Sequence, residues 1–500
     1  MISELLFTVV VIAIIVLSFR YTRPRKDSIP GPPFLHGLRT VFAALRDNNL
    51  HQIGEIWAKQ YGDLVEVNAG MGKIVFVNDS DLVRRLLCDP ENRDITNDRP
   101  PTFVGRHLCY NYKNIITANF SPELVKRRKV FHTALKFYGD GVHTFETLIQ
   151  ETSLDLRSQL KNYEGNVPLK NELTDFILRV VGLLLKGTHL MDTDLDIIAN
   201  LVDTANKCFQ FENETLMKFF PFARFIPGLK IKQLVNDFYF YRKELIDSFF
   251  LKAKEAYLQG EKSGIISELL DQQKKLEEEG QSGVLSDEVI ITLILDIMAA
   301  AYLSTACTIS GLFLYLIKDQ NAQDRIHGEI QKVIGDITPV FEHRRHMPYT
   351  DAAILEILRI STISPFLLPH FANADLTIDG YTISKGSTLL LNSWYFHHRD
   401  DHWDQPWNFR PERFLDGSGQ LVDPEHPQRR KLMVFGTGRR LCPGENFARS
   451  RLFLILVTLL QHFRFLPPSG EELPSSHPKD WTLGTVLSPG NYQCRVELRA

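Results

Sequence analysis

The sequence predicts a mainly α chain with small β-sheets: one large domain behind a single N-terminal transmembrane helix. Three observations predict it. Long amphipathic runs at about 122–137, 143–160, 170–187, 230–258 and 286–317 repeat their apolar residues at helical spacing. Leu64-Val65-Glu66-Val67 and Ile74-Val75-Phe76-Val77, separated by a Gly-rich turn, read as a hairpin feeding a helix at Asp79 to Leu87, with strand-like pieces near 376–392. Ile2 to Phe19 is almost wholly apolar and is followed by Arg20, Arg23, Arg25 and Lys26.

That first segment is long enough to span a bilayer as a helix, and its trailing basic cluster belongs on the cytosolic side. A cleaved signal peptide carries its charges in the opposite order. The chain therefore divides into a membrane anchor at 2–19, a basic and proline-rich linker at 20–33, and a domain at 34–500 facing the cytosol. Within the linker, Ile29-Pro30-Gly31-Pro32-Pro33 is a stiff elbow, because proline fixes its own φ and bars its predecessor from helix. Ser286-Asp287-Glu288 offers an N-cap and acidic first turn to the longest and most apolar run, which should be central and buried. Asp271 to Gly280 is a charge run, a solvated helix end or loop. There is no internal repeat.

Composition excludes some functions. A net charge of −3 argues against a chain-wide affinity for nucleic acid. The 6 cysteines are scattered without the spacing of a disulfide framework or zinc site, so a reducing compartment fits, and any special cysteine must be argued from its neighbours.

One cysteine has such neighbours. In Phe435-Gly436-Thr437-Gly438-Arg439-Arg440-Leu441-Cys442-Pro443-Gly444, glycines on both sides allow backbone N–H groups to approach the sulfur, and an apolar helix follows through Phe447, Leu452 and Leu456. The positive end of that helix, with Arg440 nearby, favours thiolate over thiol. The string resembles the haem-ligand signature of the cytochrome P450 family, and the landmarks described next extend the resemblance over nearly the whole chain, most closely to animal microsomal enzymes acting on steroids, xenobiotics and lipids. The resemblance implies haem b (iron protoporphyrin IX) with Cys442 as its sulfur ligand and Arg440 at a propionate. A thiolate ligand pushes electron density toward O–O cleavage, so the implied activity is that of a monooxygenase.

Glu356-Ile357-Leu358-Arg359 alone is weak, since Glu-x-x-Arg arises by chance about once in a chain this long. It lies upstream of Phe409-Arg410-Pro411-Glu412-Arg413-Phe414 in the family's order, and the resemblance implies a buried structural cluster of Glu356, Arg359 and Arg413. His370 and Arg128 resemble haem-propionate partners. Leu124 stands where the family often has a tryptophan, so one propionate contact is missing.

The central helix departs further. Ala300-Ala301-Tyr302-Leu303-Ser304-Thr305 places Leu303 at the family's relay acid and Ser304 at its alcohol, with Asp296 setting the register. Leucine neither donates nor accepts a proton. Ser304 keeps a hydroxyl, and Thr305 offers another where the helix is locally unwound; these are the candidate catalytic residues. Besides a monooxygenase, a haem-thiolate isomerase or dehydratase acting on a lipid hydroperoxide without reductase, and a haem protein that binds lipids without turnover, stay open.

By family position, Phe103, Ile116, Phe209, Ala300, Leu303, Phe366, Leu367 and Val486 line a pocket for a small lipophilic substrate. Phe219, Phe220, Phe222 and Phe225 are too aromatic for a solvated loop and should dip into the lipid bilayer. No flavin or nicotinamide fingerprint is present, so NADPH must act through a partner, an NADPH-cytochrome reductase, with cytochrome b5 as a second electron donor. Lys126, Arg127, Lys129, Arg429, Arg430, Lys431 and Arg439 form the expected basic docking face. The implied location is the endoplasmic reticulum membrane, single-pass.

Overall fold

The structure is a computed structural model that describes residues 27–68, 72–137 and 143–499; the expected anchor and the basic residues through Lys26 lie outside them. The chain is mostly helical with small sheets and clusters into two compact units.

The first comprises the stretch up to Pro100 together with Pro365–Arg399 and Gly436–Leu441. Its helices α1 (Phe34–Arg46) and α2 (Leu50–Tyr61) pack on the hairpin β1 (Leu64–Asn68) and β2 (Lys73–Val77), where Val65 pairs with Phe76. Helix α3 (Ser80–Cys88) follows as expected, capped by the Asp79 carboxylate, which accepts from the N–H groups of Asp81 and Leu82 at 3.0 and 2.9 Å. Much later chain supplies β3 (His370–Phe371), β4 (Leu376–Ile378), β5 (Tyr381–Ile383) and β6 (Thr388–Leu391). β6 joins β2 in parallel and β3 pairs antiparallel on its far side, giving the order β1-β2-β6-β3. Ile74 to Val77 are all buried, as an interior strand requires. Val41, Trp57, Val65, Phe76 and Leu390 form the core beneath.

The proline elbow proves to be more than a spacer. Glu66 N–H donates to the Pro30 carbonyl at 2.9 Å and Thr382 N–H to that of Asp27 at 2.9 Å, while Ile29 is buried. Segment 27–33 therefore runs along the edge strand β1, where a residue without an N–H is tolerated.

The second unit holds the longer helices: α4 (Pro122–Phe137), α5 (His143–Asn162), α6 (Leu169–Lys186), α7 (Asp192–Phe209), α8 (Phe211–Phe219), α9 (Lys230–Leu245), α10 (Gly264–Glu278), α11 (Asp287–Lys318), α12 (Gln320–Val333), α13 (Pro348–Ser361) and α14 (Glu445–His462). The run read at 230–258 continues from α9 through a π-helical turn, Ile246–Leu251, into Lys252–Leu258. The charge run from Asp271 is the solvated second half of α10. Helix α11, 32 residues long, is apolar enough to cross a membrane, but 67% of its apolar window is buried inside the fold. It is the central core helix, packed against α6, α13 and α14. Ser286 occupies its N-cap position, yet its hydroxyl makes no capping bond; Asp287 instead pairs with Lys254 at 2.6 Å. All 6 cysteines are free.

Beside α11, the fully buried Glu356 carboxylate accepts from Arg359 Nε and Nη2, both at 2.8 Å, from Arg413 Nε at 2.9 Å and from Arg410 N–H at 3.0 Å. Arg359 also donates to the Pro406 carbonyl at 2.8 Å, and Arg413 to that of Asp404 at 3.0 Å. The cluster thus ties α13 to the segment preceding the cysteine loop. Glu356→Ala would leave two buried guanidiniums sharing no anion; a loss of about 3–5 kcal/mol is expected, read as a lower denaturant midpoint.

Candidate active site

In the second unit, Cys442 lies just before α14, whose N-cap is Gly444. Cys442 N–H donates to the Phe435 carbonyl at 2.8 Å, which folds the loop back on itself, and the Gly444 N–H is turned to the sulfur. Burial, aided by the Glu445 charge, pushes the thiol above its usual value, opposed by that N–H and by the charges of Arg128 and Arg451. Within this unit, Arg128 and Arg451 are cations whose charges favour the thiolate. A group that burial holds as a thiol, while N–H and guanidinium groups favour its thiolate, suits a ligand that ionises when a metal cation arrives. The residues therefore fit a haem iron.

Arg128, on α4, is half-buried; desolvation lowers its pKa, and the Cys442 charge raises it. Arg451, on α14, is fully buried; its Nη2 donates to Thr305 Oγ1 on α11 at 2.6 Å. Thr305 thus faces α14. Ser304 Oγ closes on the Ala300 carbonyl at 2.6 Å, and α11 runs without a break through this turn, so the local unwinding that would free Thr305 is absent. Leu303 is half-buried between them.

The pocket residues separate. Ile116 and Phe209 line an apolar void with Val104, Leu295, Met298 and Ala299, which encloses about 20 Å³. That is room for roughly one water, well short of the few hundred Å³ a drug-sized ligand needs. Ala300 and Leu303 continue α11 just beyond this wall, and Val486 is half-buried. Phe103 is buried, with the Arg224 guanidinium 5.3 Å from its ring.

Two carboxylates that sequence reasoning missed as site residues, Asp296 buried and Glu214 half-buried, hold the segment forming that wall. Asp296 accepts from Asn114 Nδ2 at 3.1 Å and from the N–H groups of Ile115 and Ile116 at 2.7 and 3.3 Å. Glu214, on α8, accepts from the N–H groups of Phe103 and Val104. Burial pushes both up to about 7 against the pull of these donors. A lone acid inside an apolar helix was the available signal for Asp296; Glu214 had none.

In the first unit, Gly438 (φ 66°) has room only for hydrogen, since a Cβ would come 2.8 Å from the Leu87 carbonyl oxygen. Arg440 is buried and its Nε donates to the Asn97 carbonyl at 3.0 Å. His370, also buried, donates from Nδ1 to the Thr96 carbonyl at 2.7 Å. Burial and the charges of Arg99 and Arg440 hold it well below its usual value, so the ring is neutral and Nε2 is an acceptor. Donating from Nε2 to a propionate requires the imidazolium, which an anionic partner would favour. Phe366 packs edge-to-face on Phe76 in the core, 5.7 Å between centroids, and Leu367 carries a positive φ of 51°. Arg439 is paired with Asp94, which takes one charge from the expected basic face.

Comparison with known proteins agrees with this geometry. The cytochrome P450 family model matches residues 29–496. A steroid 17-alpha-hydroxylase/17,20 lyase of Ictalurus punctatus is 28% identical over 94% of this chain and 91% of its own. A farnesoate epoxidase of Bombyx mori is 30% identical, covering 94% of each chain. A zebra fish cytochrome P450 solved with progesterone superposes with a TM-score of 0.75 at 26% identity, over 89% of this chain and 99% of that one. The chain belongs to the cytochrome P450 family. It is accordingly an oxidoreductase of the monooxygenase type.

Because folding raises Asp296 from about 4 to about 7, the native state binds more protons than the unfolded chain between these values, and stability should fall as pH rises through 7. Asp296→Asn is expected to flatten part of that decline in denaturation curves taken from pH 5 to 8.

Proposed function

We propose that this cytochrome P450 is a microsomal monooxygenase that hydroxylates a lipophilic substrate, a steroid, lipid or xenobiotic, using dioxygen and NADPH electrons passed through a partner reductase. The observation carrying this reading is the Cys442 sulfur, met by the Gly444 N–H at the head of α14 and reached by the charges of Arg128 and Arg451. Haem b, when bound, supplies the redox and oxygen chemistry. Cys442 would hold its iron, and Arg128, Arg440 and His370 its propionates.

The side chains would then divide the work. Ile116, Phe209 and Leu303 exclude water from the reacting face, with Phe103, Ala300, Phe366, Leu367 and Val486 the further lining residues of the proposal. Ser304 is the hydroxyl placed to hand on a proton once it leaves the Ala300 carbonyl; Thr305, engaged by Arg451, would support the helix there. Residues 34–500 would act as one catalytic domain, tethered by the anchor at 2–19 and the linker at 20–33 to the endoplasmic reticulum membrane. Phe220, Phe222 and Phe225, exposed at 50%, 58% and 67%, would enter the bilayer. Lys126, Lys129 and Arg430, all exposed, would meet the acidic face of the reductase or of cytochrome b5.

Leu303 favours a second reading, an isomerase or dehydratase acting on a lipid hydroperoxide, which needs neither relay acid nor reductase. A steroid and lipid panel incubated with labelled dioxygen separates the two: product carrying one labelled oxygen, dependent on reductase and NADPH and absent from Cys442→Ser, is expected. Product from hydroperoxide alone would displace the monooxygenase reading. Leu303→Asp, restoring a proton donor, should raise the fraction of NADPH consumption that yields product several-fold, measured against peroxide release.

A further inference from the structure

The stretch from Thr102 to Lys113 is closed on itself. The N–H groups of Cys109, Asn111, Tyr112 and Lys113 donate to the carbonyls of Val104, Arg106, Gly105 and Cys109 at 3.0, 3.1, 2.7 and 2.9 Å. The Tyr112 hydroxyl donates to the Thr102 carbonyl at 3.0 Å, and its ring fills the space that a Cβ on Gly105 would need. Tyr110, Asn111 and Tyr112 hold positive φ angles of 46°, 56° and 63°, which side chains with a Cβ keep only where their surroundings over-determine them. A body closed in this way moves as one piece.

Charged side chains fasten it from outside, and unequally. Past its C-terminal end, Asp296 accepts from Asn114 Nδ2 and from the N–H groups of Ile115 and Ile116 at 3.1, 2.7 and 3.3 Å. Lys113 pairs with Glu288 there, on the same 32-residue core helix α11. Across the middle, Arg242 of α9 donates to the Leu108 carbonyl at 2.8 Å. At the N-terminal end the two oxygens of Glu214, on α8, accept from the N–H groups of Phe103 and Val104. Asp296 is buried on a helix embedded in the core; Glu214 is half-buried on a 9-residue helix whose one buried side chain, among the described residues, is Met217. The Glu214 end is therefore the weaker one. Val104, Cys109 and Ile116 of this stretch face α7, α9 and α11 across the apolar void of about 20 Å³, so a guest larger than roughly one water requires the wall to move.

We infer that Glu214 is a specificity-determining positioning residue: a latch that holds the 102–113 body shut at its N-terminal end, releases it to swing on the end fixed by Asp296, and so sets the size of molecule admitted to the void. The inference rests on the proposed function, in which Ile116 and Phe209 line the substrate pocket. Opening exchanges two N–H bonds to one carboxylate for bonds to water. Removing the carboxylate brings the open state closer to the closed one, whether or not a guest is inside, so entry and exit quicken together. A guest small enough to pass the closed wall gains nothing.

The test uses the holoenzyme and two haem ligands of different size: clotrimazole, a bulky imidazole that ligates ferric haem, and carbon monoxide, a diatomic that ligates ferrous haem. Glu214→Ala should raise both the association and dissociation rates of clotrimazole about tenfold in stopped flow, leave its Kd within about threefold, and leave carbon monoxide rates as in wild type. Glu214→Gln, which keeps one acceptor oxygen, should fall between and guards against a folding defect in the alanine variant. Hydrogen exchange adds a local readout: in Glu214→Gln the Phe103 and Val104 amides should exchange faster, and those of Ile115 and Ile116 as in wild type. Unchanged clotrimazole rates in a variant that retains haem, an equal rise for carbon monoxide, faster exchange at both ends alike, or haem loss from Glu214→Gln would overturn the latch. A wild-type Soret band that clotrimazole fails to shift would instead sink the haem reading beneath it.

Discussion

A sulfur that serves as a metal ligand has to be buried and negatively charged together, and burial works against the charge. At Cys442 the Gly444 N–H and the charges of Arg128 and Arg451, contributed by the cysteine loop, α4 and α14, ease this conflict against the opposing charge of Glu445. Each of these then needs support of its own. α14 is held against α11, and the segment before the loop is held by Glu356. The helical unit can be understood as layers of support around one electrostatic requirement.

The two kinds of buried arginine show how differently that support is arranged. Arg359 and Arg413 surround one carboxylate and several carbonyls, an arrangement whose geometry is over-determined. Such a cluster holds backbone in place and does no chemistry. Arg451 instead donates to a single hydroxyl, that of Thr305 on α11.

The wall of the apolar void follows another logic. Asp296 and Glu214 hold a segment of irregular backbone by its N–H groups, satisfying donors that a loop cannot satisfy internally. The wall so fixed is apolar, with a carboxylate at its back, and the cavity it encloses is small. A lipophilic molecule entering there would have to displace side chains that are already in contact, so the segment's attachment at both ends bears on access as well as on stability.

Features that depend on neighbouring residues in the chain were legible from the amino-acid order: the hairpin before α3, the limits of α4 and of α11, the cysteine loop, and the pairing of Glu356 with Arg359 one helical turn away. Helices α7, α8 and α12 were missed, although α7 and α12 space their apolar residues at helical intervals. The sequence also determined that Leu303 carries no proton, since that is a property of the residue alone. Which arginine acts on Cys442, which way Thr305 turns, that Phe366 belongs to a core, and that Asp296 holds a distant loop were decided only by the tertiary structure. Electric fields and hydrogen bonds depend on distance through space, and residues as far apart along the chain as Thr305 and Arg451 become neighbours only when the helices carrying them pack.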